Sequence, residues 1–164
     1  TSADPYEQLV SETLELNDGA FEQILFVTQK NRKVQIELAS SAFFASGSAQ
    51  FKADALKPLA AIAEKLMPFL QDDIRLQVEG HTDDVPIATA QFPSNWELSS
   101  ARASNVVRYL IAQGMPADRL SAAGFAETQP KAENTDVTGN PIAANRELNR
   151  RVVITLERMG RKFQ

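Results

Sequence analysis

An acid and an arginine stand out because of where they lie in the sequence. Asp83 follows the segment of residues 73–80, in which apolar and polar residues alternate, and Arg102 lies one turn into a predicted helix. A carboxylate binds an ammonium group, and the planar fork of an arginine matches a carboxylate. Such charge-assisted pairs are about twice as strong as neutral hydrogen bonds. Held opposite each other, these two side chains would therefore complement an amino-acid head group, which carries both charges on one carbon.

Several short motifs surround these two residues at characteristic spacings. They are Gly80-His81-Thr82-Asp83, then Asn95, Leu98-Ser99 and Arg102-Ala103, and finally Asn149-Arg150-Arg151-Val152. Together they resemble the OmpA-like peptidoglycan-binding domain, and the resemblance covers residues 33–157. The inserted segment of residues 92–99 looks like the version found in the B subunits of flagellar motor stators, the MotB/PomB family. Each motif alone is a weak signal, whereas the spaced set is specific.

The resemblance implies a peptidoglycan-binding site of six residues and no catalytic residue. In the family, the acid at the position of Asp83 contacts the ammonium of the diaminopimelate in the peptidoglycan stem peptide, and the arginine at the position of Arg102 contacts its carboxylate. The other implied binding residues are Thr82, Asn95, Leu98 and Arg150. Asn95 is also expected to cap the helix that follows, because its side chain can accept hydrogen bonds from first-turn amides.

Ordinary structural roles compete with these assignments. A single loop aspartate is most often a turn or capping residue, and a helix arginine usually extends to solvent. Arg151 should face away from Arg150, because side chains alternate along a strand. We expect Phe92 and Trp96 to be packing residues rather than platforms for a sugar ring. Many relatives have an acid where this chain has Ala45, so weaker binding to the cell wall is expected.

The composition argues against an enzyme and against a metal or other cofactor. The chain has no cysteine, which excludes disulfides, thiol catalysis and cysteine metal sites. His81 is the only histidine, so a zinc site or a Ser-His-Asp triad would have to include it. A site of His81, Asp83 and Asp84 stays conceivable only if the strand continues far enough to bring the first two together. No phosphate-binding glycine loop or nucleophile elbow is present. We therefore expect a binding domain.

Length and charge restrict the class of protein further. With 164 residues the chain can form one domain with an appendage, and its formal net charge of -4 argues against a nucleic-acid partner. It has no apolar run of about 18 residues and no signal-peptide pattern. Because it begins with Thr1 rather than Met, we expect a fragment or a processed product. The resemblance implies the periplasmic domain of a single-pass inner-membrane protein of a Gram-negative bacterium.

The resemblance also implies a function, namely to anchor an ion-driven flagellar stator to peptidoglycan. The implied partners are peptidoglycan, the stator A subunit through a membrane helix outside this chain, periplasmic flagellar ring proteins, and a second copy in a homodimer. The alternative is an anchor of the OmpA or peptidoglycan-associated-lipoprotein type, which ties the outer membrane to the cell wall. The insert at residues 84–96 favours the stator. A wall-cleaving enzyme would need a metal cluster or paired catalytic carboxylates, which the sequence does not suggest.

Hydrophobic spacing predicts the elements that position these residues. Helices are predicted at residues 5–17, 52–70 and 97–113, strands at 24–28, 33–39, 73–80, 120–125 and 151–156, and a loop at 126–144. Pro68 should kink or end the second helix. Since helices and strands alternate, helices should cover one face of a mixed sheet. The resemblance implies the α/β (α+β) sandwich of the OmpA-like group with an added N-terminal helix.

We divide the chain into three parts. Residues 1–32, with the N-terminal helix and the first hairpin strand, are expected to form a linker and regulatory segment, residues 33–157 the OmpA-like domain, and residues 158–164 a tail. The apolar face of the N-terminal helix is thin, and isolated helices shorter than about 12–15 residues are marginal in water. We expect this helix to dock on the core and to release when the domain reaches the wall.

Overall fold

A five-stranded mixed sheet forms the framework of the protein. The computed structural model describes residues 4–70 and 73–159. The strands are β1 (Leu25–Lys30), β2 (Lys33–Ala39), β3 (Ile74–His81), β4 (Leu120–Gly124) and β5 (Arg151–Arg158), and their order in the sheet is β1-β2-β5-β3-β4. The α-helices are α1 (Pro5–Leu14), α2 (Ser40–Phe43), α3 (Leu56–Leu66), α4 (Asn95–Ala112) and α5 (Ala143–Asn149). The predicted α/β fold with an N-terminal helix is confirmed.

Alternation along the strands places the core between the sheet and the helices. Every second residue of β2 from Val34 to Leu38 and of β3 from Ile74 to Val78 is buried, whereas all five residues of β5 from Val152 to Leu156 are buried. Val34, Ile36 and Leu38 of β2, Ile74, Leu76 and Val78 of β3, and Val152, Ile154 and Leu156 of β5 face the helices. These side chains join one cluster with Leu59 of α3 and Val106 of α4. Burial of apolar surface at this layer is the main favourable term in folding. No helix in residues 4–70 or 73–159 has the length and hydrophobicity to cross a membrane.

Strand order brings together residues that are far apart in sequence. β3 is antiparallel to β5 and parallel to β4, and His81 at the end of β3 is paired with Arg151 at the start of β5. The residues just beyond this pair, Asp83 and Arg150, therefore lie at the same edge of the sheet. The C-terminal end of β3 is thus the natural place for the site predicted from the sequence.

The N-terminal segment packs against the same core. α1 begins after Asp4, whose side chain accepts a hydrogen bond from the amide of Tyr6 at 3.1 Å. Leu9 is fully buried, and a 3-10 turn from Glu15 to Asp18 continues the helix, so the predicted helical segment ends in a tighter turn. β1 pairs with β2 in the common sheet. The division of the chain at residue 33 stays a proposal.

Several predicted boundaries are wrong, each for a local reason. α4 begins at Asn95 rather than residue 97, and α3 is shorter than predicted because it ends at Leu66, before the 3-10 turn that holds Pro68. β1 continues to Lys30, since a two-residue turn with positive φ angles suffices to join it to β2. The predicted loop of residues 126–144 ends in α5. β5 continues to Arg158, and residues 160–164 of the predicted tail lie outside the described residues.

Candidate functional site

A cavity of about 580 Å³ lies where the end of β3, the start of β5 and the first turns of α4 meet. Its wall includes all six residues predicted to bind peptidoglycan: Thr82, Asp83, Asn95, Leu98, Arg102 and Arg150. The remaining lining residues come from α2, the segment of residues 44–47, Lys52, and the loop of residues 85–87. A larger cavity of about 1090 Å³ lies at the opposite end of the sheet, around the start of α1, and contains none of the predicted residues.

Asp83 is a buried acid that is fixed on both of its oxygens. The residue is only 7% exposed. Its Oδ1 accepts a hydrogen bond from the amide of Val85 at 3.0 Å, which is the turn role expected of a loop aspartate. Its Oδ2 accepts from Nη1 of Arg150 at 2.5 Å. The preceding Thr82 anchors the loop, since its amide donates to the carbonyl of Ala126 at 2.9 Å. The structural and the pocket-lining roles therefore coincide in one side chain.

Arg102 is buried rather than extended to solvent, with 5% of its surface exposed. Its Nε donates to the carbonyl of Ser48 at 2.8 Å and its Nη2 to the carbonyl of Ala45 at 3.2 Å. The guanidinium also lies over the ring of Phe44, 5.0 Å from the centroid. In residues 4–70 and 73–159 it forms no ion pair with a carboxylate. Arg102 thus holds the loop of residues 45–48 while it faces the cavity.

The electrostatic state of Arg102 reflects this environment. Burial lowers the pKa of its guanidinium to about 10, the positive charge of Arg150 adds to the effect, and Asp83 opposes it. Because the guanidinium of Arg102 is buried and lies near the positive charge of Arg150, an anion bound beside it would stabilise its charge. The remaining N–H groups of the guanidinium are donors that a ligand carboxylate can use.

Two glycines allow α4 to approach the sheet closely enough to form the site. A Cβ atom on Gly80 would lie 2.1 Å from the backbone oxygen of Ser99, and one on Gly124 would lie 2.1 Å from Oγ of Ser100. The hydroxyl of Ser99 in turn accepts a hydrogen bond from the amide of Ala126 at 3.1 Å. The first turns of α4 therefore rest directly on β3 and β4, which brings Arg102 beside the end of β3. Gly80 belongs to one of the motifs quoted from the sequence, but its packing role and that of Gly124 were not predicted.

Asn95 lines the cavity but does not cap α4, which corrects one prediction. The cap is Ser94, whose hydroxyl accepts a first-turn amide at 3.2 Å and contacts the carboxylate of Glu97. The side-chain amide of Asn95 instead donates to the carbonyl of Val85 at 3.1 Å and to Glu127 at 3.4 Å. Both residues are good helix caps, so the sequence could not distinguish them. Asn95 fixes the loop that follows the buried acid.

The two aromatic residues near α4 have different environments. Phe92 is 5% exposed and packs with Leu98 and Ala49 in a small cluster separate from the main core. Its predicted packing role is confirmed. Trp96 is 49% exposed and does not line the cavity, so the packing role predicted for it is wrong. Of these residues, Leu98 forms an apolar part of the cavity wall, and Phe92 packs against it.

Arg150 connects the acid to a second carboxylate. Its Nη2 donates to Glu147, which also accepts the hydroxyl of Ser41. The hydrogen bond from Ser41 lowers the pKa of Glu147, burial partly opposes this effect, and the hydrogen bond from Arg150 adds to the lowering. As predicted, Arg151 lies outside the cavity, where it donates to the carbonyl of Gln129 at 3.0 Å. Arg150 is thus oriented by two acids.

The lowered pKa of Glu147 predicts a pH-dependent stability. Because the folded-state pKa lies below the ordinary value of about 4.3, the unfolded state binds more protons in acid. The contribution of ionised Glu147 to the free energy of unfolding is therefore present above about pH 5 and is lost as the pH falls through the folded-state pKa of this residue. In thermal melts at pH 7, 5, 4 and 3, the extra stability of wild type over Glu147→Gln should be full at the two higher values and should decrease at pH 4 and again at pH 3. Glu22→Gln at an exposed position is the control, and a difference independent of pH would contradict the assignment.

Asn149 is a buried residue of the site region that the sequence analysis did not single out for a role. Its side chain is fully buried and accepts the amides of Lys131 and Ala132 at 2.8 and 2.9 Å. Its amide group donates to the carbonyl of Ala132 and to Oδ1 of Asn134, both at 2.8 Å. These bonds attach the loop after β4 to the end of α5, directly before Arg150. A buried polar group with all of its partners present is a strong positioning device.

His81 does not belong to the cavity. Its Nε2 lies 3.2 Å from Oε2 of Glu79, and its ring stacks on Phe125 with centroids 5.3 Å apart. Within the described part of the chain, no group of three histidine, cysteine or acidic residues is arranged to hold a metal ion. The metal site of His81, Asp83 and Asp84 that the sequence left open is not formed in the described structure. Asp83 instead pairs with Arg150, and Asp84 pairs with Arg146.

Comparison with known proteins identifies the family. A model of the OmpA family matches residues 43–144, more than half of the chain. Motility protein B of Bacillus subtilis (strain 168) is 32% identical over 142 residues, which are 86% of this chain and 51% of that protein. The chain thus spans about half the length of such curated relatives.

Solved structures show the same architecture over nearly the whole chain. A MotB-like protein from Desulfovibrio vulgaris superposes with a TM-score of 0.81 at 28% identity, covering 97% of this chain and 94% of that one. The cell wall anchor of the T6SS from Pseudomonas aeruginosa gives a TM-score of 0.74 at 30% identity, covering 94% of this chain and 97% of that one. The sequence motifs, the five-stranded sheet and these matches together show that the chain is an OmpA-like domain of the MotB type and belongs to the OmpA family.

Proposed function

We propose that this chain is a non-catalytic domain that anchors a MotB-type flagellar stator to peptidoglycan by gripping the diaminopimelate of the stem peptide. The observation that carries the proposal is the pair of buried, oppositely charged side chains, Asp83 and Arg102, on the wall of one cavity. The resemblance of the chain to Motility protein B and to a MotB-like structure supports the same function.

The chemistry of the cavity suits one end of diaminopimelate. The ligand ammonium would share the carboxylate of Asp83 with Arg150, which keeps Glu147 as a second partner. The ligand carboxylate would take the free N–H groups of Arg102. Close charge pairs that are desolvated in an interface have coupling energies of about 1.5–7 kcal/mol. Both charges of the ligand would therefore contribute to affinity, and Thr82, Asn95 and Leu98 would fix its orientation.

An anchor of this kind serves a mechanical purpose. A stator that exerts torque must be held against the reaction force, and an immobile polymer bound in a pocket provides that hold. In this proposal the chain is the periplasmic part of a single-pass inner-membrane protein of a Gram-negative bacterium, and its membrane helix binds the stator A subunit. Contact with flagellar ring proteins and a homodimer are part of the same proposal. Two copies on one stator would raise the effective concentration of pockets at the wall.

The N-terminal segment of residues 1–32 is proposed as the regulatory part. α1 docks through Leu9, and Lys65 of α3 forms an ion pair with Glu15 at 3.0 Å, an exposed contact of small energy. Release of this helix would let the domain reach the wall. A disulfide that ties Leu9 or Leu14 to the core should abolish motility reversibly, and full motility with the crosslink formed would contradict this role.

Swimming in soft agar distinguishes the stator from other wall anchors. Cells whose full-length protein has Asp83→Asn are expected to keep their flagella and an intact envelope but to stop swimming. The alternative is an anchor of the OmpA or peptidoglycan-associated-lipoprotein type, which uses the same pocket. Normal swimming combined with a detergent-sensitive envelope would favour that alternative. Normal swimming with loss of T6SS activity would favour a role like that of the cell wall anchor of the T6SS from Pseudomonas aeruginosa.

A further inference from the structure

Two cationic side chains on the cavity wall have only backbone carbonyls as hydrogen-bond partners within the described residues. Arg102 donates to the carbonyls of Ser48 and Ala45, and Nζ of Lys52 donates to the carbonyl of Ser41 at 3.1 Å. Arg150, by contrast, is paired with two acids. An amino-acid head group supplies one carboxylate, which Arg102 is placed to bind. Among the residues that the structure describes, Lys52 is then a cation at the same cavity that has no acidic partner.

The backbone around Lys52 fixes the lysine at the cavity wall. Its amide donates to the carbonyl of Phe43 at 3.0 Å, and the preceding Phe51 forms a bridge with Phe44. The rings of these last two residues stack with centroids 5.2 Å apart. The base of the lysine side chain is therefore held in place, so that only its long, flexible stem has to be ordered when an anion binds.

A second observation at the same wall is a buried polar group that has no hydrogen-bond partner among the described residues. Ser40 lines the cavity, is 2% exposed, and has a hydroxyl without a hydrogen-bond partner among the described residues. Buried polar groups are nearly always paired, and an unpaired one costs about 1–3 kcal/mol. Since the hydroxyl is itself fully buried, a rotation of the Ser40 side chain would bring it to a ligand oxygen held by Lys52. With a volume of about 580 Å³ the cavity also has the size of a site for a larger ligand than one head group.

We propose that Ser40 and Lys52 form a subsite for a second carboxylate, so that the cavity selects an acidic peptide rather than an isolated amino-acid head group. The inference rests on the proposed function and makes it more specific. In a stem peptide, the residue before diaminopimelate is a γ-linked D-glutamate, whose α-carboxyl group is either free or amidated. A free carboxylate there would neutralise Lys52, whereas an amide would leave it without an anion. The protein would then bind wall with the unamidated peptide more tightly.

Calorimetry with two defined peptides tests this subsite. The probes are L-Ala-γ-D-Glu-meso-diaminopimelate with the glutamate α-carboxyl free, and the same peptide with that carboxyl amidated. Partly exposed ion pairs are worth up to about 1 kcal/mol, so wild type should bind the free acid about threefold to fivefold more tightly. Lys52→Gln should reduce the affinity for the free acid to that for the amide. Lys52→Arg should retain the preference, and Lys57→Gln, at an exposed position on α3, should leave it unchanged.

The outcomes separate the subsite from the function on which it rests. Equal affinity of wild type for the two peptides, or a preference that persists in Lys52→Gln, would overturn the subsite and leave the wall-anchor function standing. Failure of both peptides to bind the folded wild type would overturn the proposed function and the subsite with it. Lys52 is exposed, so its replacement should not affect folding, and circular dichroism checks this.

Discussion

Replacement of Arg102 by alanine is expected to abolish binding to peptidoglycan and to lower the free energy of unfolding by about 3 kcal/mol. The substitution removes two charge-assisted hydrogen bonds, which leaves the carbonyls of Ser48 and Ala45 without this donor, and it removes the contact with Phe44. The loop of residues 45–48 would lose its attachment to α4, and the cavity would lose the group that binds a carboxylate. Urea denaturation and cosedimentation with cell wall measure the two effects.

A second variant of Arg102 and a control at another arginine separate the effect of charge from that of geometry. Arg102→Lys keeps a positive charge but cannot donate to two divergent carbonyls, so it should recover part of the stability and little of the binding. Arg108→Ala is the matched control, because it removes an exposed arginine from the same helix. It should change the free energy of unfolding by no more than about 0.5 kcal/mol. Wild-type stability and binding in Arg102→Ala would show that the buried guanidinium has neither role.

Gly80→Ala is expected to destabilise the protein by about 3 kcal/mol or more, although it adds a single methyl group. The new Cβ would lie 2.1 Å from the backbone oxygen of Ser99, and backbone cannot move aside as a flexible side chain can. α4 would have to shift away from β3, taking Arg102 with it and weakening the hydrogen bond from the amide of Ala126 to Ser99. Binding to peptidoglycan should therefore fall together with stability.

Another glycine provides the control for this prediction. Gly19 has an ordinary extended conformation with φ -94°, and a Cβ there would meet its nearest neighbour, the oxygen of Leu16, at 3.5 Å. Gly19→Ala should change the free energy of unfolding by less than about 1 kcal/mol, and the change should favour the folded state. Equal denaturation midpoints for Gly80→Ala and Gly19→Ala would show that the close approach of α4 to β3 does not require a glycine at position 80.

The sequence predicted the elements of the site well where periodicity was strong. The alternation in residues 73–80 and the helical spacing in residues 97–113 gave β3 and α4 to within two residues, because each buries a continuous apolar face. The loop acid and the helix arginine therefore appeared on the correct elements. The resemblance to a family added Arg150, which periodicity alone could not connect to the others.

What the sequence could not predict are contacts between distant segments. Asp83 and Arg150 are 67 positions apart, and only the register of β3 with β5 makes them partners. α5 was missed because its seven residues have no strong apolar period, and it depends instead on the buried amide of Asn149. The role of Gly80 also cannot be predicted from its neighbours in the sequence, because it depends on a contact with the backbone of α4, which follows later in the chain.

Cosedimentation with purified peptidoglycan tests the central claim most directly, with wild type compared with Asp83→Asn and Asp84→Asn. Asparagine at position 83 can still accept the amide of Val85 but lacks the charge that an ammonium group requires. Asp84 pairs with Arg146 at 2.8 Å and does not line the cavity, so its variant controls for the loss of a neighbouring charge. We expect wild type and Asp84→Asn to pellet with the wall and Asp83→Asn to stay in the supernatant. Pelleting of folded Asp83→Asn to the wild-type extent would contradict the assignment of this cavity as the anchor.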